Sequence, residues 1–335
     1  MKRTWMAGAA SVMALGMAIG LSAQAETEPG FVAPKTAWGA PDLQGFWNNT
    51  SLTGMTRPST ADKLVASEEE VRELVRKNLY TVLTEQQAGA SDLEDDLLTD
   101  GNNDAGYNAF WIDPGTTFAK VKGEYRTSWI TTTEDGQIPY KEGAKRPGLG
   151  YSPTDFSSYE TRPLAERCIM SFSGGAGPVM TNSMYNNTFQ IVQSPDHVMI
   201  LVEMIHDTRI IPIDKDFNPQ QPAKWAGESR GWYDGDTLVV ETRNVHPSQR
   251  SYISDQGKVT ERFTRWSDGQ IFYEFEVEDP TLYREAWGGE MALNQGGVLY
   301  EYACHEGNYA MYNALRIGRM QDAGVISADN SQAPR

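Results

Sequence analysis

The chain has 335 residues with 29 Lys and Arg against 45 Asp and Glu, a formal net charge of −16 at pH 7. So acidic a surface repels phosphate backbones and anionic lipid, which sets nucleic acid and membranes aside as partners and leaves solubility as the plain role of the charge. There are only two cysteines, Cys168 and Cys304. They lack the clustered Cys/His pattern of a structural zinc site.

The chain opens with Lys2 and Arg3, then a small-to-apolar stretch from Trp5 to Leu21, then Ala23-Gln24-Ala25. This order predicts a secretory signal peptide over 1–25, too short and too rich in Ala and Gly to be an anchor. Without it the count is 27 bases against 45 acids, −18. Export places the product in the periplasm or outside the cell. In that oxidising setting Cys168 and Cys304 are expected to pair, with two free buried thiols as the alternative.

Residues 26–124 read as an arm carrying one short strand (LQGFWNN, 43–49), a helix and an acidic loop. Ser67 followed by Glu70 is a capping-box signature, and Val71, Leu74, Val75, Leu79, Val82 and Leu83 follow helical spacing, which predicts a helix over 67–87. The Gly-, Asn- and Asp-rich stretch 88–106 reads as a surface loop.

Residues 125–320 read as β. Strands are expected over 126–133, 187–194, 197–205, 209–214, 227–233, 237–243, 258–266, 270–279 and 298–305. Pro195-Asp196, Asp234-Gly235-Asp236 and Ser267-Asp268-Gly269 are hairpin signals between them. In 270–279, Ile271, Tyr273, Phe275 and Val277 share one face while Phe272, Glu274 and Glu276 share the other. Hairpins without intervening helices predict a mainly β fold, an antiparallel meander closing into a barrel-like, calycin-like core with one N-terminal helix packed outside. Residues 321–335 read as a flexible tail.

Two clusters stand out chemically. In VEMIHDTRIIP (202–212), Glu203, His206, Asp207 and Arg209 interrupt an apolar run. HVMILVEMI is apolar on both faces and is expected to be covered on both, which would bury Glu203 in part and raise its pKa towards a usable range. An internal salt bridge is the plainer account of any one of these charges; four together favour a site. In YEYACHEGNY (300–309), His305 and Glu306 follow Cys304 at once, among Tyr300, Tyr302 and Tyr309. His197 and His246 read as turn residues. Glu203, His206, His305 and Glu306 have the atoms for a metal, but HExxH is absent and no metal is expected. GxSxG, a P-loop and a strand-borne GxGxxG are also absent, and the Gly-rich SFSGGAGP (171–178) reads as a flexible lip. Nine Trp, fifteen Tyr and eleven Phe suit an aromatic-lined cavity.

RPLAERC (162–168), YNNTFQIVQSPDHVMILVEMIHDTRIIP (185–212), ESRGWYDGDTLVVET (228–242), ERFTR (261–265), YEFEVEDPTLY (273–283) and YEYACHEGNY (300–309) resemble a large family of exported bacterial proteins. The resemblance runs over roughly 120–320; residues 85–110 fit it less well. It extends, more distantly, to phenylcoumaran gamma-formaldehyde lyases that act on lignin-derived aromatic dimers. That implies an enzyme without a cofactor. A base takes the hydroxymethyl proton, formaldehyde leaves, the ring phenoxide is expelled and a stilbene forms. Glu203 is then the expected base, His206 the acid and Arg209 the phenoxide partner, with His305 able to substitute. Substrate contacts are expected from Trp47, Trp111, Tyr185, Asn187, Asp207, Trp287, Tyr300, Tyr302 and Glu306. A periplasmic binding protein for an aromatic or steroid-like ligand and a metal-dependent hydrolase or lyase are the alternatives. A homodimer is left open.

Overall fold

The computed structural model describes residues 27–79, 81–82, 113–144, 146, 155–171, 177–249 and 251–326. The predicted signal peptide, the acidic loop, Trp111, most of the Gly-rich lip and the far C-terminal tail lie outside these residues.

Period-2 patterning builds one nine-stranded sheet. Its strands are β1 (Gly45–Asn48), β5 (Thr188–Gln193), β6 (His197–Val202), β7 (Thr208–Pro212), β8 (Glu228–Asp234), β9 (Thr237–Arg243), β10 (Lys258–Ser267), β11 (Gln270–Glu278) and β12 (Trp287–Gln295). The order across the sheet is β7-β6-β5-β1-β12-β11-β10-β9-β8, and each neighbouring pair is antiparallel. Each of the three hairpin signals joins two neighbouring strands: Pro195-Asp196 lies between β5 and β6, Asp234–Asp236 at β8–β9 and Ser267–Gly269 at β10–β11. The arm strand β1 inserts between β5 and β12, so residues before 125 complete the barrel.

The inward face follows the alternation. Trp47, Phe189, Ile200, Ile211, Phe263, Ile271, Tyr273 and Met291 are all buried in one core. The interior is filled by side chains, as small barrels are.

Strand directions alternate around nine members, so the first and the last run the same way. β7 and β8 therefore cannot close with the antiparallel ladder used everywhere else. They meet through one parallel bridge, Ile213↔Gly231, with the Asp214 N–H donating to the Gly231 carbonyl at 2.8 Å. Gly231 has to be small here: a Cβ would lie 3.0 Å from both Ile211 Cγ2 and Ile213 Cδ1. Towards the start of β7 this seam parts.

Helix α1 (Glu68–Lys77) packs outside on a satellite cluster, burying Val71 and Leu74 beside Leu52, Ala66 and Phe118. The capping box is formed: the Glu70 N–H donates to Ser67 Oγ at 3.3 Å, and the Ser67 N–H donates to the Glu70 carboxylate at 2.7 Å. Of the expected helix over 67–87, α1 breaks at Asn78, which is extended; helical backbone resumes at 79 and 81–82, and residues 83–87 lie outside the described residues. A small sheet of β2 (Val65–Ala66), β4 (Glu124–Arg126) and β3 (Lys120–Val121) lies beside it.

Several expected elements differ. Residues 126–133 do not form a long strand; after β4 only isolated bridges, Gly54↔Ser128 and Ile130↔Gly289, continue. Residues 298–305 are not a strand: largely exposed, they pair with no strand of either sheet and are tied down through the Cys304 disulfide. They form an arm, and a second helix, α2 (Tyr309–Asp322), follows it. The outer face of β6 is only half covered: Met199 and Leu201 are partly exposed, while Val198, Ile200 and Val202 are buried. β12 was not anticipated.

The disulfide is present. Cys168 and Cys304 are bonded with their Cα atoms 5.7 Å apart, across 136 positions of sequence. It fixes the C-terminal arm to the segment before the Gly-rich lip. Asn308 adds a hydrogen bond from Nδ2 to the Glu166 carbonyl at 3.0 Å. Among the described residues no helix is long and apolar enough to cross a membrane.

Candidate active site in the barrel seam

The link from β6 to β7 is one tight turn, Met204–His206, held by the Glu203 N–H on the Thr188 carbonyl and the Val202 N–H on the Asp207 carbonyl. Ile205 and His206 have φ of +57° and +46°. A β-branched residue in the left-handed region is unusual, and each such residue costs about 1–3 kcal/mol. The turn splits its residues between environments. Ile205 goes inward, His206 goes to solvent and Asp207 goes back inside.

Where the seam parts, a cleft of about 760 Å³ opens between this turn, the start of β7, the segment 223–227 and β8. Asp207 is its central feature. The residue is 7 % exposed, and its Oδ2 has no hydrogen-bond partner among the described residues. Burial pushes the carboxyl up to about 7, against the pull of the Ser171 N–H, which bonds to it. A carboxylic acid that titrates near neutrality can both take and return a proton.

Around Asp207 the cleft gathers His206, Lys224, Trp225, Arg230 and His246. Trp225 and His246 lie against each other with ring centroids 4.1 Å apart. The parallel bridge Lys224↔Val245 brings these two distant segments together. His246 is a turn residue as expected, its Nδ1 accepting from the Ser248 N–H at 3.1 Å, and it also forms part of the aromatic wall. His206 is exposed, with Nδ1 3.3 Å from the Tyr302 carbonyl.

Arg209 sits at the base of the cleft and is committed inward. It is 3 % exposed and makes a two-pronged contact with Glu261, Nη1 to Oε1 at 3.0 Å and Nη2 to Oε2 at 2.5 Å. Nη2 also reaches Ser229 and Thr242, and the Tyr273 hydroxyl donates to Glu261 Oε1 at 2.8 Å. Burial alone would lower the Arg209 pKa; Glu261 outweighs it and the pKa is raised. Gly177 lies against the guanidinium so closely that a Cβ there would be 2.6 Å from Nη1. Glu261 was missed in the sequence. The available signal was an acid on the inward face of β10, between Val259 and Phe263.

The other sequence candidates scatter. Glu203 is buried outside the cleft, its Oε1 accepting from the Tyr300 N–H at 3.3 Å. His305, Glu306 and Tyr300 are exposed on the C-terminal arm. Trp47 and Trp287 pack in the barrel core. Asn187 braces a loop, its side chain bonded at both ends to the Ser183 backbone. Tyr185 and Tyr302 are half-buried and bonded to each other; burial first, then that contact, raises the Tyr302 pKa. Among the described residues no group of three or more His, Cys, Asp or Glu is arranged to hold a metal. No family model, no curated protein and no solved structure matches the chain.

Proposed function

We propose that the protein is an exported acid–base lyase acting on an aromatic dimer of the phenylcoumaran type in the seam cleft. One observation carries this reading: a buried carboxyl with an oxygen unbonded among the described residues and a pKa of about 7, in the lining of a cleft with an aromatic wall. The base role passes from Glu203 to Asp207, because Asp207 lines the cleft and Glu203 does not.

The side-chain chemistry balances without another reactant. Asp207 takes the proton of the substrate's hydroxymethyl group. The carbon–carbon bond breaks and formaldehyde leaves; its electron pair forms the new double bond as the ring carbon–oxygen bond breaks. The phenoxide so released takes a proton from His206, on the same rim, and the product is a stilbene. Lys224 supplies positive charge near the developing phenoxide, and Trp225 with His246 offers a flat surface for one ring. The disulfide supports export.

The test is incubation with phenylcoumaran dimers, following formaldehyde and stilbene absorbance. Asp207→Asn is expected to lower turnover by ~10²-fold or more while the protein stays folded. Full turnover in a folded Asp207→Asn protein would remove this base and with it the mechanism.

A further inference from the structure

A second cleft, of about 420 Å³, lies on the other side of the wall formed by 168–171 and 204–207. No described residue lines both clefts: Ser171 and Met204 face this one, Met170 and Asp207 face the seam. Its surface is largely apolar, from Leu52, Met55, Met184, Met204 and the ring of Tyr252. The polar groups of its wall are turned to structure. Asn182 donates to the Ser51 and Thr53 carbonyls and accepts from Trp129 Nε1, and Ser51 Oγ accepts from the Thr53 N–H.

One charge remains in the described lining, Arg146. Its guanidinium lies 3.8 Å from the centroid of Tyr252, and its Nε donates to the Ser251 carbonyl at 3.1 Å. Among the described residues no acid lines the cleft and no ion pair to Arg146 occurs. Stacked and tethered in this way, the planar fork is held in one orientation before anything binds. A fixed guanidinium at the edge of an apolar slot matches a carboxylate attached to a flat ring. Thioether and tyrosine walls suit such a ring without demanding one substitution pattern.

We propose that this cleft is a second small-molecule site, taking an aromatic carboxylate with its ring among the methionines and its carboxylate on Arg146. The site is separate from the seam cleft and independent of the reaction assigned there.

The probe is benzoate, titrated into the full chain and followed by ligand-observed NMR, with methyl benzoate as the uncharged control. Benzoate is expected to bind more tightly than its ester. Arg146→Gln is expected to weaken benzoate by about 10- to 100-fold, the loss of one charge-assisted contact, and to leave the ester unchanged. Trp225→Ala, in the seam cleft, should leave benzoate binding intact. Three results would overturn the assignment: no benzoate binding to the wild-type chain, equal affinity for acid and ester, or a loss in Trp225→Ala that equals or exceeds the loss in Arg146→Gln. Arg146→Lys keeps the charge without the fork and is expected to fall between wild type and Arg146→Gln.

Discussion

Glu261 and Asp207 are both buried carboxyls on the inner side of the same barrel, and they are treated in opposite ways. Glu261 is fully enclosed and meets a guanidinium with both oxygens and a tyrosine hydroxyl with one. Asp207 is nearly as buried, receives one backbone N–H and keeps an oxygen unbonded among the described residues. A completed network fixes a structure; an incomplete one holds a group whose proton is easily moved. Two residues along β7 separate the sealed region from the reactive one, since Arg209 belongs to the first and Asp207 to the second.

Breaking the sealed side should have the largest effect. Glu261→Gln leaves the Arg209 charge without its counterion in the core and is expected to cost roughly 3–5 kcal/mol in denaturant unfolding. Replacing Arg209 and Glu261 together by apolar residues should cost less than the single change. A double variant worse than Glu261→Gln alone would contradict the pairing argument.

The open side should show in the pH dependence of stability. The folded pKa of Asp207 is raised, so the folded protein binds its proton more tightly than the unfolded chain does. The native state is favoured below about pH 4, and that advantage is lost as pH rises through about 7. The full difference is on the order of 4 kcal/mol at most. Unfolding curves from pH 4 to 8 should therefore slope downward more in wild type than in Asp207→Asn. Turnover should run the opposite way on its acid limb, rising as Asp207 ionises at about pH 7, and should fall at higher pH as His206 loses the proton it donates. Parallel slopes in the two proteins would mean that Asp207 does not titrate there.

The disulfide lies between the two regions in effect, since it holds one wall of the cleft and touches nothing of the Glu261 network. Cys168→Ser with Cys304→Ser is expected to lower stability by roughly 2–4 kcal/mol. It should leave the Arg209–Glu261 contact intact, which a double-mutant cycle between Arg209 and Glu261 in the reduced background would register as an unchanged coupling energy.

Glu203→Gln should have the smallest effect. Its carboxylate accepts a single long bond from the Tyr300 N–H, and an amide oxygen can accept the same bond. Turnover within a few-fold of wild type is expected; a loss as large as that of Asp207→Asn would return the base role to Glu203.

Much of the barrel was legible because hairpin signals and alternation are local. Pro195-Asp196, Asp234–Asp236 and Ser267–Gly269 needed no knowledge of distant residues. β12 was hidden for the opposite reason. Its Gly288-Gly289 pair reads as a loop, yet it is required by neighbours far away: a Cβ on Gly289 would lie 1.9 Å from the Trp129 carbonyl oxygen, and one on Gly288 would lie 2.3 Å from that of Phe275. Helix α2 gave no apolar stripe to read, since Gly318 alone is buried in it, against Phe156. The run 202–212 marked the right neighbourhood for the cleft. Strand alternation could not tell which acid faced it, because two left-handed residues at 205 and 206 reset the phase. Trp225 and His246, 21 positions apart, carry no joint signal in sequence.

The nine-membered ring has a consequence for how this architecture tolerates change. Hairpins are gained and lost as units of two strands, and adding or removing two leaves an odd total odd. The mismatch at β7 and β8 therefore survives the commonest way a barrel grows or shrinks. Loss of β1 would not cure it either: β5 and β12 are both antiparallel to β1 and so parallel to each other, and β7 and β8 would still run the same way. Parity thus bars an antiparallel ladder between β7 and β8, a property of the count of strands that no point substitution along either edge can alter.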